Sequence, residues 1–501
     1  MKRFQTGIQE YKIILFLGYI FLGTPSSLAQ NPISLHSENP HYFTYKSKPT
    51  ILISSAEHYG AVLNLDFDYK KYLSVLKQNG FNQTRIFSGV YCEGSEYDIE
   101  KGKKFDWSEV QNPLAPRPGK LLAPWARSNT PGYIRSGNKF DLDTWDETYF
   151  RRLKDFISEA NNHGVIVEVV LFTAFYSPNF WLNSPLNPIN NVNNVEDIPY
   201  NEFHLPKHRK LFSRQLDMVK KIVTEVNAFD NVYFEICNEP YWLLGTKGDD
   251  STVKEQQFLP ELDTWQQEIV RVIIQTEKNL LKKHLIAQNI ANTYHKVSTL
   301  DPSVSILNFH YAFPPQCVED NFAFNKPIVF DETSDGVNAP NRRREAWAFM
   351  MSGGAGYSNL DWSFVTDDAS GLGRNPSGRR RSGKEVREQL KVLADEMNRF
   401  DFVKSRPIPN GFFRNAGDGF STFGLYVPSK EYMIYILKEK NVSIDRAELE
   451  LPEGKYIARC IDPISGVILK TEMLKHNGGG VATISLPLFT DDLLLRINKQ
   501  G

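Results

Sequence analysis

The amino-acid sequence predicts an α/β protein: a (β/α)8 TIM barrel followed by a small all-β sandwich. Three observations carry this prediction. Short apolar runs and amphipathic helical stretches alternate eight times as far as Phe400, the pattern of a parallel sheet covered by helices. At 501 residues the chain exceeds one ordinary domain, and a barrel of roughly 250 residues or more leaves room for a second. Past Phe402 the pattern changes to short alternating runs broken by Pro407, Pro409 and Gly411, as in a β-sandwich. The expected organisation is residues 1–29 as a signal peptide, 30–401 as the barrel with an N-terminal hairpin, and 402–501 as the sandwich.

The N-terminus carries Lys2, Arg3 and Lys12, then an apolar run from Ile13 to Gly23, then small residues at Ser27 and Ala29. Basic, apolar and small-residue zones in that order read as a cleavable secretory signal, and the run falls short of the roughly 20 residues of a membrane span. A secreted or periplasmic protein is expected, with no membrane insertion after cleavage.

Beyond it, His41–Tyr45, a turn through Lys46–Pro49 and Thr50–Ser54 read as a hairpin running into the first barrel strand. Asp66–Asn79 carries Tyr69, Leu73 and Leu76 at helical spacing and stops at Gly80. The second strand is Asn82–Phe87. A long Gly- and Pro-rich connection runs to Thr144, followed by a helix over Trp145–Asn162 and a third strand over Val165–Leu171. A polar loop to Pro206, a helix to Asn227, the strand ending at Asn238 and a helix over Pro260–Lys283 come next. Strands five to seven are Leu285–Gln288, Ser305–Phe309 and Pro327–Phe330; a helix over Arg343–Met351, the eighth strand Gly356–Trp362 and a helix over Glu385–Phe400 close the barrel. In the sandwich, Ser421–Tyr426 and Tyr432–Ile436 alternate as strands do. The stiff connection through Pro407 and Pro409 suits a domain packed on the barrel as a structural partner rather than a tethered one.

Fifty-eight basic against 59 acidic residues give a formal charge of −1, no footprint for nucleic acid or an anionic membrane. A neutral substrate suits such a surface. Cys92, Cys237, Cys317 and Cys460 lack metal-ligand spacing, so no metal and no cofactor is expected. A Cys92–Cys317 bridge is geometrically conceivable, since both residues fall on loops after barrel strands. The arginine runs Arg342–Arg344 and Arg379–Arg381 read as solvated faces beside helices.

Chemistry is placed at two strand ends. The apolar strand Asn231-Val-Tyr-Phe-Glu-Ile-Cys stops at Asn238-Glu239-Pro240, and Lys326-Pro-Ile-Val-Phe stops at Asp331-Glu332-Thr333. Carboxylates at the C-terminal lip of barrel strands mark an active site, and a pair of them is what glycoside hydrolysis needs. In a retaining mechanism one protonates the leaving oxygen while the other attacks the anomeric carbon, so the chain must bring the two acids within about 5.5 Å of each other.

At these residues the sequence resembles clan A of the glycoside hydrolases, closest to the cellulase-like family 5, in which an Asn-Glu pair ends strand four and a Glu ends strand seven. The resemblance implies Glu239 as acid/base and Glu332 as nucleophile of a retaining enzyme acting on a β-linked glycan. Asp331 is the rival of Glu332, although adjacent strand residues face opposite ways. Arg85 matches the clan's arginine that keeps the nucleophile ionised, Asn238 the residue that holds the sugar 2-hydroxyl, and His310 the family's strand-six histidine. The family's tyrosine two residues beyond that histidine is absent: the position is Ala312, with Tyr311 and Tyr357 as substitutes, although alternation turns Tyr311 away. The strand-three end, Phe172-Thr-Ala-Phe-Tyr176, likewise lacks the family's histidine. Trp362 fits an aromatic floor under the sugar, Glu57 and His58 could bind hydroxyls, and Trp125 and Trp181 could stack on sugars from long loops. The segment Leu451–Gly466 resembles a C-terminal sandwich of secreted glycosidases known as a collagen-binding domain. The rival functions are a transglycosylase on the same residues and a noncatalytic glycan-binding barrel.

Overall fold

The computed structural model describes residue 1 and residues 31–94, 112–241, 260–293, 295–333, 339–373, 383–409, 411–415, 419–440 and 442–500. The expected signal segment and Arg379–Arg381 lie outside them. Strands β1 (Ser34–Leu35), β2 (Phe43–Tyr45) and β3 (Lys48–Thr50) form a small antiparallel sheet. Lys46 and Ser47, with φ of 50° and 59°, supply the left-handed pair that a two-residue hairpin turn requires.

The barrel follows as β4 (Leu52–Ala56), α1 (Tyr69–Gln78), β5 (Gln83–Phe87), the hairpin β6 (Trp125–Pro131) and β7 (Asn138–Trp145), α2 (Glu147–His163) and β8 (Ile166–Thr173). It continues with α3 (Pro178–Asn183), α4 (Arg209–Val226), β9 (Val232–Asn238), α5 (Pro260–Lys278), β10 (Ile286–Asn292) and β11 (Ile306–His310). The last elements are α6 (Gln316–Asn321), β12 (Ile328–Glu332), α7 (Ala339–Met351), β13 (Gly356–Leu360) and α8 (Lys384–Asn398). All eight expected barrel strands are present, hydrogen-bonded in parallel in the order β4-β13-β12-β11-β10-β9-β8-β5. Side chains stitch the seam between β4 and β5. Asn82 accepts from Ile53 N at 3.0 Å and donates to Ile51 O at 2.7 Å, and Ser54 Oγ donates to Gln83 O at 2.6 Å.

Capping chemistry corrects the helix starts. Asp146 accepts from the amides of Thr148 and Tyr149, so α2 starts at Glu147 and Trp145 belongs to β7. Asp68 accepts from Lys71 N and delays α1 to Tyr69. Gly80 and Gly164 end α1 and α2 with φ of 75° each, where a side chain would be strained. The hairpin β6–β7 was hidden by the turn residues of the long second connection.

The C-terminal segment forms β14 (Arg406–Pro407), β15 (Phe420–Val427), β16 (Glu431–Lys438), β17 (Arg446–Leu449), β18 (Gly454–Ile461), β19 (Ile468–His476), β20 (Ala482–Ser485) and β21 (Asp492–Gln500). Six of them build an antiparallel sheet in the order β14-β15-β16-β21-β18-β19, and β17 pairs with β20. The period of two in β16 serves two cores. Tyr432, Ile434 and Ile436 join the sandwich interior, while Met433, Tyr435 and Leu437 join the barrel's apolar cluster.

This packing overturns the reading of the arginine run. Two of the three arginines on helix α7 are sealed, Arg342 and Arg343 at 0% and 1% exposed, while the Arg344 side chain keeps 29% exposure. Arg343 crosses to Asp492, Nε to Oδ2 at 2.7 Å and Nη2 to Oδ1 at 3.1 Å, and Trp347 stacks on Tyr435 with centroids 5.6 Å apart. Arg342 pairs with Glu345 at 3.0 Å. The conceivable Cys92–Cys317 bridge is not formed either, since all four cysteines are free and buried.

Candidate active site

Glu239 and Glu332 stand at the C-terminal ends of β9 and β12, and one carboxylate oxygen of each lies within 4.8 Å of the other's. Their surroundings differ. Glu332 accepts from Arg85 Nη1 at 3.1 Å and from the Tyr311 hydroxyl at 3.3 Å. Glu239 accepts from His310 Nδ1 at 3.0 Å and from the Tyr176 hydroxyl at 2.7 Å. The backbone at Glu239 turns left-handed, φ 50°, and its amide is tied to Asn289 Oδ1 at 3.2 Å. A non-glycine residue in that region costs about 1–3 kcal/mol and aims its side chain off the strand's alternation.

The same device answers the missing tyrosine. Tyr311 has φ 53°, and the β11–β12 register shifts at Phe309/His310. Strict alternation therefore fails where it had turned Tyr311 away, and the phenol reaches Glu332. Tyr357 lies instead against Arg342 O and Glu345 on the α7 side of the sheet. Alternation also fails to separate Asp331 from Glu332, because Asp331 reaches Arg85 and His310 as well, at 3.5 Å each. Exposure separates them: the Glu332 side chain is 14% exposed and that of Asp331 is sealed at 0%.

Beneath the pair, Arg85 of β5 is wholly buried among Glu168, Glu235, Asp331 and Glu332. Desolvation opposes its charge, and the four carboxylates outweigh it, holding the guanidinium charged. Burial, then the nearby Glu235 charge, pushes Glu168 well above the usual carboxylate range. Burial also raises Asp331 to about 7 against the pull of Arg85 and His310. His310 is the reverse case. Burial lowers it, but the charges of Glu332 and Asp331 and the bond to Glu239 raise it to about 9. Glu168 and Glu235 were not singled out in the sequence, although a lone acid inside an apolar strand was the visible signal.

Asn238 holds the lip together. It accepts from Arg85 Nη2 at 2.9 Å and donates to Thr173 Oγ1 at 3.1 Å and to the Tyr176 hydroxyl at 2.9 Å. Tyr176 thus bridges Asn238 and Glu239 from the strand-three end, where the family's histidine is lacking; no periodicity marked it.

The remaining expected sugar contacts lie elsewhere. Glu57 is spent on its own loop, accepting from the amides of Tyr59, Gly60 and Ala61 at 2.7–2.9 Å, while burial pushes its carboxyl up to about 7. His58 is buried against Ser358 Oγ at 3.0 Å; desolvation, then Arg85 and His310, holds it well below the usual imidazole range and therefore neutral. Trp125 is 1% exposed, stacked on Trp145, and Trp181 is 4% exposed, wedged between Phe175 and Phe203 with Nε1 on Ile198 O. Both are core residues of the loops they brace. Trp362 follows β13 at the same lip and is 4% exposed.

Two triads, Glu235-His310-Asp331 and Glu239-His310-Glu332, bring ligand atoms within 4.8 Å of one another. A metal would need His310 neutral, whereas the surrounding carboxylates favour its imidazolium, and Arg85 already supplies a cation there.

No family model matches the chain, and no curated protein matches it. Among solved structures it is similar to a glycoside hydrolase family 5 protein from Bacteroides vulgatus ATCC 8482, with a TM-score of 0.58 at 13% identity over 93% of each chain. It is also similar to a glycoside hydrolase with a TM-score of 0.57 at 13% identity, over 94% of this chain and 97% of the other. At such identity the likeness is one of fold, and it extends over the barrel and the C-terminal sheets together.

Proposed function

We propose that the chain is an exported glycoside hydrolase that cleaves β-glycosidic bonds with retention of configuration. The observation that carries this reading is the acid pair: carboxylate oxygens within 4.8 Å suit direct attack, whereas an inverting enzyme leaves roughly 6.5–9.5 Å for a water. Export rests on the basic, apolar and small-residue zones of residues 1–29.

In the first step Glu239 gives its proton to the glycosidic oxygen, the C–O bond breaks, and a Glu332 oxygen bonds to the anomeric carbon. Arg85 and Tyr311 hold and orient the attacking carboxylate by hydrogen bonds. In the second step water attacks the same carbon, Glu239 takes the water's proton, and the ester bond to Glu332 breaks. The charge on Glu332 serves as the switch between the two roles. While present, it favours a protonated Glu239; once esterified it is gone, and the donors His310 and Tyr176 favour the ionised base. Proton NMR of the first product of an aryl β-glycoside should show the substrate's own anomeric configuration. An inverted product would remove Glu332 as nucleophile.

A further inference from the structure

Among the described residues, every barrel connection carries a helix except the one from β10 to β11, where residues 293 and 295–305 form none. A cleft of about 370 Å³ opens there between α5 and the turn before β11. Small-molecule sites span roughly 300–1,000 Å³. Ile236 and Gln288 form its floor, Asp263, Gln266 and Val270 of α5 one wall, and Asp301 stands opposite. Alternation separates it from the acid pair: Asn289 points inward to the Glu239 amide, and its neighbour Gln288 lines the outer cleft.

Gln266 supplies the second observation. It is 3% exposed, and neither its Oε1 nor its Nε2 has a hydrogen-bond partner in the protein. Native interiors seldom leave an amide unpaired on both atoms, so its partners are to be sought in the cleft it lines. The occupant's chemistry follows from this amide. A cation would satisfy Oε1 but meet the hydrogens of Nε2, and an anion would satisfy Nε2 but meet Oε1 and the carboxylates of Asp263 and Asp301. A hydroxyl both donates and accepts, so adjacent hydroxyls can serve both atoms and still donate to Asp263. Leu300 and Pro302, which line the cleft and keep accessible surface, offer apolar contact to a ring's C–H groups. We infer that this flank cleft is a carbohydrate-binding site separate from the acid pair, taking one or two hydroxyl-rich sugar units.

The inference stands whether or not the acid pair hydrolyses glycans, and the test keeps the two apart. The full chain is titrated with glucose, mannose, xylose and their β-1,4-linked dimers, followed by calorimetry and ligand-observed saturation-transfer NMR. The same titrations are run on Gln266→Leu, which keeps the volume but not the amide, and on the half-buried Asp263→Asn. At least one sugar should bind the unsubstituted chain, and both variants should bind it more weakly, roughly tenfold for Gln266→Leu. Turnover of an aryl β-glycoside should be unchanged in both. Binding lost in the variants without any turnover in the parent would sustain the cleft and sink the hydrolase. Binding that both variants keep, or no binding by any of these sugars, would make the cleft a water-filled gap and overturn the inference.

Discussion

Two arginines, Arg85 in the barrel mouth and Arg343 at the seam with the C-terminal sheet, are buried alike and used differently. Arg343 meets one sealed carboxylate, Asp492, in a two-pronged contact, with Gln389 Oε1 on its third arm at 2.8 Å and the Tyr435 hydroxyl on Asp492 at 2.6 Å; the more exposed Asp491, 3.7 Å away, is shared with Arg344, so two cations face two carboxylates. Charge and hydrogen bonds balance, and the pair welds α7 to the sheet. Arg85 faces four carboxylates and cannot neutralise them all. The surplus is met by holding protons: Glu168 lies well above its ordinary range, Asp331 at about 7 and His310 at about 9. A balanced buried pair fixes structure, whereas an overloaded one stores protons where a reaction can use them.

The comparison breaks most sharply when one charged side chain is removed from each side. Glu332→Ala or Glu239→Ala should lower turnover by roughly ten-thousandfold, about 5 kcal/mol of barrier, with the melting temperature nearly unchanged. An activated leaving group should rescue the first step in Glu239→Ala, and azide should speed release. Equal, unrescued loss in both variants would count against the assigned roles. On the other side, Arg343→Ala strands the Asp492 charge and should cost about 3–5 kcal/mol of stability, read by urea unfolding, while turnover per folded molecule stays constant. The double variant Arg343→Met with Asp492→Leu should recover most of that loss. If it does not, the pair contributes more than its mutual compensation.

These two regions were unequally legible in the sequence. Strand ends were readable because a carboxylate after an apolar run has few structural uses, and Glu239, Glu332, Arg85 and His310 do converge. Tyr311 was readable as a candidate but not as a contact, because its reach depends on a left-handed backbone that no local pattern announces. Trp125 and Trp181 were misplaced for the opposite reason: on long loops an aromatic ring reads as exposed, but these loops have their own cores. The arginine run failed similarly, since charge on a helix implies solvent unless a second domain covers it, and only the packing of β16 against α7 reveals the cover.

Titration separates the regions next. His310 has its pKa raised from the ordinary 6.5 to about 9 in the folded chain. The folded state therefore holds this proton more tightly, a stabilisation present below pH 6.5 and lost as pH rises through about 9. Asp331, raised from 3.8 to about 7, adds a loss of the same sign at lower pH. From pH 6.5 to 9 the His310 proton alone accounts for about 3 kcal/mol. Thermal unfolding across that window should show the decline in the unsubstituted chain and lack the upper part of it in His310→Asn. A parallel decline in both would place the titrating group elsewhere.

The finest comparison deletes one phenolic hydroxyl from a carboxylate in each region. Burial, then the charges of Glu239 and Glu332, holds the Tyr176 hydroxyl well above its ordinary range, so it is a proton donor to Glu239 at every working pH. Tyr435 is held up in the same direction by burial and then by Asp492. Tyr176→Phe leaves Glu239 with His310 as a donor, so the expected loss is about 1.5 kcal/mol, roughly tenfold in turnover. Because the lost bond favoured the ionised carboxyl, the alkaline limb of the pH–rate profile should move to higher pH. Tyr435→Phe removes an equivalent bond from Asp492, yet keeps its ring stacked on Trp347. It should lower the melting temperature by roughly one degree, about 1 kcal/mol, and leave the pH–rate profile in place. If instead Tyr176→Phe lowered stability and left the alkaline limb unmoved, the hydroxyl would be a brace for the lip, and the proton traffic assigned to Glu239 would rest on His310 alone.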